Sequence, residues 1–176
     1  MFLFLAITHT TAEAKDSAYG IGPGDILEIS VWKDESLTRQ IVVPPDSVIS
    51  FPLIEDIDVN GLTVAALRRI ITEKLNEYIP DATVAVLFYQ VNSMRAYVIG
   101  KVNKPGEFPI TMETHVMQVL AMAGGLNPFA SASNILILRQ KDNKTEKITF
   151  NYNQVESGKN LEQNILLQRG DVVVVP

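Results

Sequence analysis

The sequence contains no cysteine, which removes disulfides, thiolate metal sites, a cysteine nucleophile and a thioether-linked lipid anchor. It has only two histidines, His9 and His115, too few for a metal or acid–base site built on imidazoles. No apolar run approaches the roughly 20 residues that a bilayer-spanning helix needs. Basic residues are outnumbered, 15 Lys and Arg against 20 Asp and Glu, and a net charge of −5 argues against nucleic acid, whose phosphates require a basic face. Glycine and proline, ten and nine in number, are scattered without a period, which excludes collagen-like and low-complexity chains. Walker A, G-x-S-x-G and H-E-x-x-H motifs are all missing. What remains is 176 residues, 47% apolar and 20% charged, enough for one globular domain or two small ones.

Residues 1–18 are expected to be a signal peptide and leader. Phe2 to Ile7 is a short apolar run, and Ala12-Glu13-Ala14 fits the small-x-small pattern of a cleavage site. No Lys or Arg precedes the run, as expected if translation begins upstream of Met1. Export would place the protein in an oxidising compartment, although it uses no disulfide.

From Tyr19 onward strand and helix signals alternate. Leu27, Ile29 and Val31 share one face of a half-buried strand over Ile26 to Trp32. Gln40 to Val43 and Ser47 to Phe51 flank Pro44-Pro45-Asp46, a preset turn. A further alternating stretch, Ile54 to Val59, stops at Asn60-Gly61. Thr63 is placed to cap a helix whose stripe runs through Val64, Leu67, Ile71, Leu75 and Tyr78, ended by Pro80. Ala82 to Gln90 reads as another strand, completing a strand-rich α/β unit over 19–91.

Val91-Asn92-Ser93 is a polar break, and a second unit is expected over 94–176. It opens with a strand from Arg95 to Val102 and a type II turn at Lys104-Pro105-Gly106-Glu107, with Phe108 to Thr111 returning as the hairpin partner. A helix beginning at Val116 is closed by Gly124-Gly125 in the left-handed conformation. Ile135 to Leu138 and Lys147 to Phe150 flank the turn-prone Asp142-Asn143-Lys144, and Val172 to Val175 closes the chain. A hairpin, a helix and then further strands is the order of a β-grasp fold, a mixed sheet wrapped on one helix. One echo links the units: Gly24-Asp25-Ile26-Leu27 and Gly170-Asp171-Val172-Val173 both set Gly-Asp before an apolar strand. Turn chemistry used twice is sufficient to explain it.

Several motifs resemble chemistry and fail its requirements. Asp56-Ile57-Asp58-Val59-Asn60-Gly61 copies half of a calcium loop, but the position of the bidentate glutamate is Leu67. Ile57 and Val59 fit the buried face of a strand. Gly20, Gly22 and Gly24 precede a strand instead of following one, and Pro23 removes an N–H that would cradle phosphate. His115 has no second ligand near it and reads as a surface or capping residue. Arg169-Gly170-Asp171 reads as a strand-entry turn. Trp32, Phe88, Tyr89, Tyr97 and Phe129 could stack on sugars, but aromatics on strands are expected in a core or an interface. Asn143-Lys144-Thr145 fits a glycosylation pattern and indicates an exposed turn. No catalytic, cofactor, metal or ligand-binding residue is assigned.

Three stretches resemble the bacterial outer-membrane polysaccharide export family. Tyr19-Gly20-Ile21-Gly22-Pro23-Gly24-Asp25 through Trp32, Val48 to Ile54, and Gly61-Leu62-Thr63 with the helix after it are similar to its export domain. Val98 to Gly106, Leu120 to Leu126 and Gln168 to Pro176 are similar to its SLBB domain, a β-grasp fold. The resemblance implies an α+β protein with no enzymatic activity and no cofactor. It implies a periplasmic component of capsular or exopolysaccharide export that forms or supports a ring-shaped channel for the polymer. The implied partners are copies of itself, an inner-membrane polysaccharide copolymerase and the transported polysaccharide. Many family members also carry a lipidated cysteine, a second β-grasp domain and a C-terminal pore helix. This sequence has no cysteine and stops at Pro176, so it is expected to associate with the outer membrane through a separate pore. Two rival readings are a monomeric periplasmic small-ligand-binding β-grasp module and a glycan-active enzyme, which needs two carboxylates about 5 to 9.5 Å apart in a cleft.

Overall fold

The computed structural model describes residues 19–141 and 144–176. The leader expected over 1–18, with His9, lies outside the described residues, as do Asp142 and Asn143 of the turn and glycosylation pattern. Alternation from Ile26 builds strand β1 (Ile26–Val31), which buries Leu27, Ile29 and Val31 and turns Ile26, Glu28 and Ser30 to the opposite face. Strand β2 (Asp34–Val42) runs back beside it. Pro44-Pro45-Asp46 does turn the chain, but it passes it from one sheet to another. The next strands, β3 (Val48–Phe51) and β4 (Ile54–Asp58), pair only with each other.

Helix α1 (Val64–Leu75) starts where its cap requires: the Thr63 hydroxyl accepts the Ala66 N–H at 3.1 Å. Leu67, Ile71 and Leu75 are fully buried, as their spacing demands. Tyr78 does not extend the stripe. The helix ends at Leu75, before Pro80, because the Asn76 side chain takes the Ala82 N–H and bends the chain away, leaving Tyr78 60% exposed. Thr63→Ala should lower the unfolding free energy by about 1 kcal/mol through loss of the cap. A denaturation midpoint unchanged by that substitution would show that the helix end is held by packing alone. Strand β5 (Val84–Gln90) returns antiparallel to β1 and completes a three-stranded sheet of order β2-β1-β5.

The second unit begins with β6 (Arg95–Gly100) and its hairpin partner β7 (Gly106–Pro109). The strand stops two residues short of Val102, and the tight type II turn does not form. Gly106 is already paired with Val98, and the connection folds onto the end of the next helix, with the Asn103 and Lys104 N–H groups donating to the Gly125 and Ala123 carbonyls. Helix α2 (Val116–Met122) buries Val116, Val119 and Leu120 and closes through Gly124 and Gly125 at φ +76° and +80°. Strands β8 (Ile135–Lys141) and β9 (Lys144–Phe150) form a hairpin. A short helix α3 (Tyr152–Glu156) and a 3-10 turn Leu161–Gln163 follow, too short to leave an apolar periodicity in the sequence.

Strand β10 (Val172–Val175) then enters the middle of the sheet, parallel to β6 and antiparallel to β8, in the order β7-β6-β10-β8-β9. This mixed sheet on one helix is the β-grasp arrangement, and the protein as a whole is α+β. Gly100 is required where β6 meets β10: a Cβ there would lie 2.0 Å from the Val175 carbonyl oxygen. Two separate apolar cores result, one drawn from residues between Ile21 and Val86, the other from residues between Met94 and Val175.

Candidate functional site

The glycine-rich segment before β1 is a clasp between the two units. Asp25 is fully buried. Its Oδ1 accepts the Asn92 and Ser93 N–H groups at 2.9 and 2.8 Å, and its Oδ2 accepts the Gly22 N–H at 2.9 Å and the Tyr19 hydroxyl at 2.7 Å. The Ser93 hydroxyl lies 3.1 Å from the same Oδ2 and 2.6 Å from the Tyr19 oxygen. Two hydroxyl protons serve three oxygen–oxygen contacts, so at any instant one edge of this triangle is without a proton. The Asn92 side chain adds a bond to the Gly24 carbonyl. The polar break Asn92-Ser93 is therefore a junction fixed by one carboxylate.

Burial raises the Asp25 pKa, but the donors around it, Tyr19 foremost and then the three backbone N–H groups, outweigh burial and hold it below the usual carboxylate value. Tyr19 moves the other way. Burial, aided by the neighbouring Asp25 charge, pushes its hydroxyl up to about 12 despite the Ser93 bond, so the phenol keeps its proton at neutral pH.

Tyr19 is the wedge of this junction. Its ring meets Phe88 of the first unit edge-on at 4.9 Å and also packs against the core of the second. The Arg169 guanidinium, from the turn before β10, lies 5.6 Å over that ring and donates to the Gly20 carbonyl at 2.5 Å. Gly22 is needed for this approach, since a Cβ there would lie 1.8 Å from a guanidinium nitrogen. In the run that resembled a phosphate loop, Gly22 thus admits an arginine. Beside the wedge opens a mainly apolar groove of about 580 Å³, lined by Met94, Met112, Leu166 and Gly61, with Tyr19 and Arg169 at one wall.

The Gly-Asp echo is genuine at the level of atoms. Asp171, also fully buried, accepts the Gln168 N–H at 2.8 Å as Asp25 accepts that of Gly22, and in both turns the Asp N–H donates back to the carbonyl of that same residue. Its remaining acceptor capacity serves Arg139, whose fork reaches both carboxylate oxygens at 3.0 and 2.6 Å and also the Leu166 carbonyl at 2.9 Å. Arg169-Gly170-Asp171 is a strand-entry turn, with Gly170 at φ +81°.

The other singled-out residues fall apart spatially. Ile57 and Val59 are buried as expected. Asp56 is held by the Ser50 hydroxyl, while Asp58 takes the Asn60 N–H in a local turn. His115 does cap α2: its N–H donates to the Gln118 side chain, and its ring Nδ1 contacts the Glu113 carbonyl. Of the five aromatics, only Phe88 joins a core. Trp32, Tyr89 and Phe129 are 72%, 62% and 81% exposed, and Tyr97 is exposed on the outer face of β6. Trp32, Tyr89 and Tyr97 stay out of the cores because they lie on the outer faces of their sheets, whereas Phe51, Phe88 and Phe150 point inward.

Among the described residues, nothing packs on the outer, apolar face of either sheet. On the first sheet, Leu87 and Tyr89 stand out from β5 beside Ile26 of β1 and Val42 of β2, with Trp32 at the end of β1. On the second, Tyr97 and Ile99 of β6, Val172 and Val174 of β10, and Leu136 and Leu138 of β8 lie side by side in register. Among the described residues no three His, Asp or Glu side chains converge, and no helix is long and apolar enough to cross a membrane. The chemistry on offer is that of surfaces and fixed geometry.

Comparison with known proteins agrees with this architecture. Residues 13–88 match the polysaccharide biosynthesis/export protein family, and residues 94–175 match the SLBB domain. The polysialic acid transport protein KpsD of Escherichia coli is 25% identical over 89% of this chain and 28% of its own length. The EPS I polysaccharide export outer membrane protein EpsA of Ralstonia nicotianae is 30% identical over 92% of this chain and 48% of its own. The capsule polysaccharide export outer membrane protein CtrA of Neisseria meningitidis serogroup B is 27% identical, over 90% and 44%. This chain thus spans between about a quarter and a half of the length of these relatives. With an export domain leading directly into a β-grasp SLBB domain, each on its own core, the chain belongs to the bacterial polysaccharide export protein family.

Proposed function

We propose that the protein is a non-enzymatic component of a capsular or exopolysaccharide export machinery, working in the periplasm beside the outer membrane. In this reading residues 19–91 and 94–176 act as two modules that form or support a ring-shaped passage for the polymer. The single observation that carries it is the consecutive match to the export and SLBB domains over residues 13–175. Rigid coupling through Asp25 and uncovered apolar sheet faces suit a subunit that assembles and holds shape. An inner-membrane polysaccharide copolymerase is the proposed partner at the other end of the path.

Light scattering and native mass spectrometry over a range of concentrations test this reading. A defined oligomer of the full chain, alone or with the periplasmic part of a copolymerase, is the expected result. A monomer under every one of these conditions overturns it. The junction groove favours a second reading, a small-ligand-binding module, because its apolar lining beside one arginine and one tyrosine has the composition of a ligand pocket. That reading requires a saturable thermal shift with a defined small molecule and a monomeric protein.

A further inference from the structure

We infer that the outer face of the first sheet in one copy packs on the outer face of the β-grasp sheet in the next, joining copies head to tail. This inference rests on the assembling role proposed above and names the surfaces that would carry it. Each face presents a contiguous set of apolar side chains, where water would ordinarily meet polar ones. Two of the four edges of these sheets are poorer candidates. Edge strand β9 carries Lys144, Glu146 and Lys147, and edge strand β2 carries Asp34, Glu35 and Arg39 together with a register irregularity.

Charge selects which face meets which. Glu28 stands on the outer face of β1 between Gln40 and Leu87, among the apolar residues of the first sheet. Lys147 stands on the outer face of β9 directly beside Leu138. The other two charges on the second face, Arg95 and Glu107, are paired with each other. Packing either face on its own copy would gather like charges in a desolvated contact, whereas packing one face on the other brings Glu28 toward Lys147. Two different patches that fit each other make a heterologous contact, which closes into a ring or propagates.

Two double variants test this in the full chain, Leu87→Thr with Tyr89→Thr on the first face and Tyr97→Thr with Ile99→Thr on the second. All four positions are exposed and threonine is a strand former, so unchanged circular dichroism and melting are expected. Each variant alone should need at least about tenfold more protein to assemble than the wild type. An equimolar mixture of the two should stop at a one-to-one dimer, because one intact contact remains between unlike variants. Glu28→Lys should weaken assembly, and adding Lys147→Glu should restore it. Variants that assemble like the wild type would overturn the choice of faces and leave the assembling role intact. Homodimers of each variant in place of the one-to-one heterodimer would mean self-paired faces, and a mixture that stays monomeric would mean that the two faces do not meet; either result overturns the head-to-tail pairing. A wild-type chain that never assembles removes both the pairing and the role.

Discussion

Asp25→Asn is expected to destabilise the protein by about 2–4 kcal/mol, far more than an isosteric change in an exposed turn would. The reason is geometric. An asparagine offers one acceptor oxygen and one donor nitrogen, and both carboxylate positions face fixed backbone donors: Asn92 and Ser93 on one side, Gly22 on the other. Either orientation of the amide sets N–H against N–H in a fully buried site. The loss should shrink in acid. The folded pKa of Asp25 lies below its unfolded value, so its contribution is complete above the ordinary carboxylate range, near pH 4, and disappears as pH falls through the folded value. Wild type and variant should therefore converge at low pH in denaturation midpoints measured across pH. Tyr19 acts in the opposite direction, since its raised pKa makes it stabilise below about pH 10 and cease to as pH rises toward 12. Unfolding free energies that differ by less than ~0.5 kcal/mol at neutral pH would mean that the junction does not depend on this carboxylate.

Arg139→Met is expected to cost about 3–5 kcal/mol, because it strands the Asp171 charge in a site that solvent does not reach. The methionine fills similar space along β8 but supplies no donor, leaving Asp171 with the Gln168 N–H and depriving the Leu166 carbonyl of its partner. Arg139→Met combined with Asp171→Asn should cost less than the sum of the two single changes, since the second change removes the charge stranded by the first. Urea denaturation of the four proteins measures that coupling. Strict additivity would show that the two side chains are not coupled and that no charge is stranded by the first change. The pair closes the sheet end from which Arg169 reaches Tyr19, so its loss should also loosen the junction.

Much of the local structure could be read from side-chain periodicity. Leu27, Ile29 and Val31, the Thr63 cap, the stripe Leu67, Ile71 and Leu75, and the closing Gly124-Gly125 pair all follow from rules acting over a few residues. Local rules fail where a group outside the helix or turn itself intervenes. Tyr78 left the helix stripe because Asn76 reaches forward to Ala82, and the turn at Pro105 opened because Asn103 and Lys104 bond to the end of α2. Residue type alone places a strand aromatic in a core or an interface; which of the two depends on the face it occupies, and Trp32, Tyr89 and Tyr97 lie on faces turned away from the cores.

The family, the α+β class and the order of the main strands and two longer helices can be read from the chain itself, because each depends on patterns carried by neighbouring residues. The two Gly-Asp turns mark the limit. Their shared local geometry was legible, since the aspartate, the residue three positions before it and the glycine are adjacent in sequence. Their distinct roles were not. Asp25 clasps Asn92 and Ser93 of the module junction, whereas Asp171 receives Arg139, and both partners arrive only when chain segments more than thirty residues apart are brought together by burial of the sheets. A carboxylate's local turn is set by its neighbours, but the charge or donors that satisfy its second oxygen are chosen by tertiary packing.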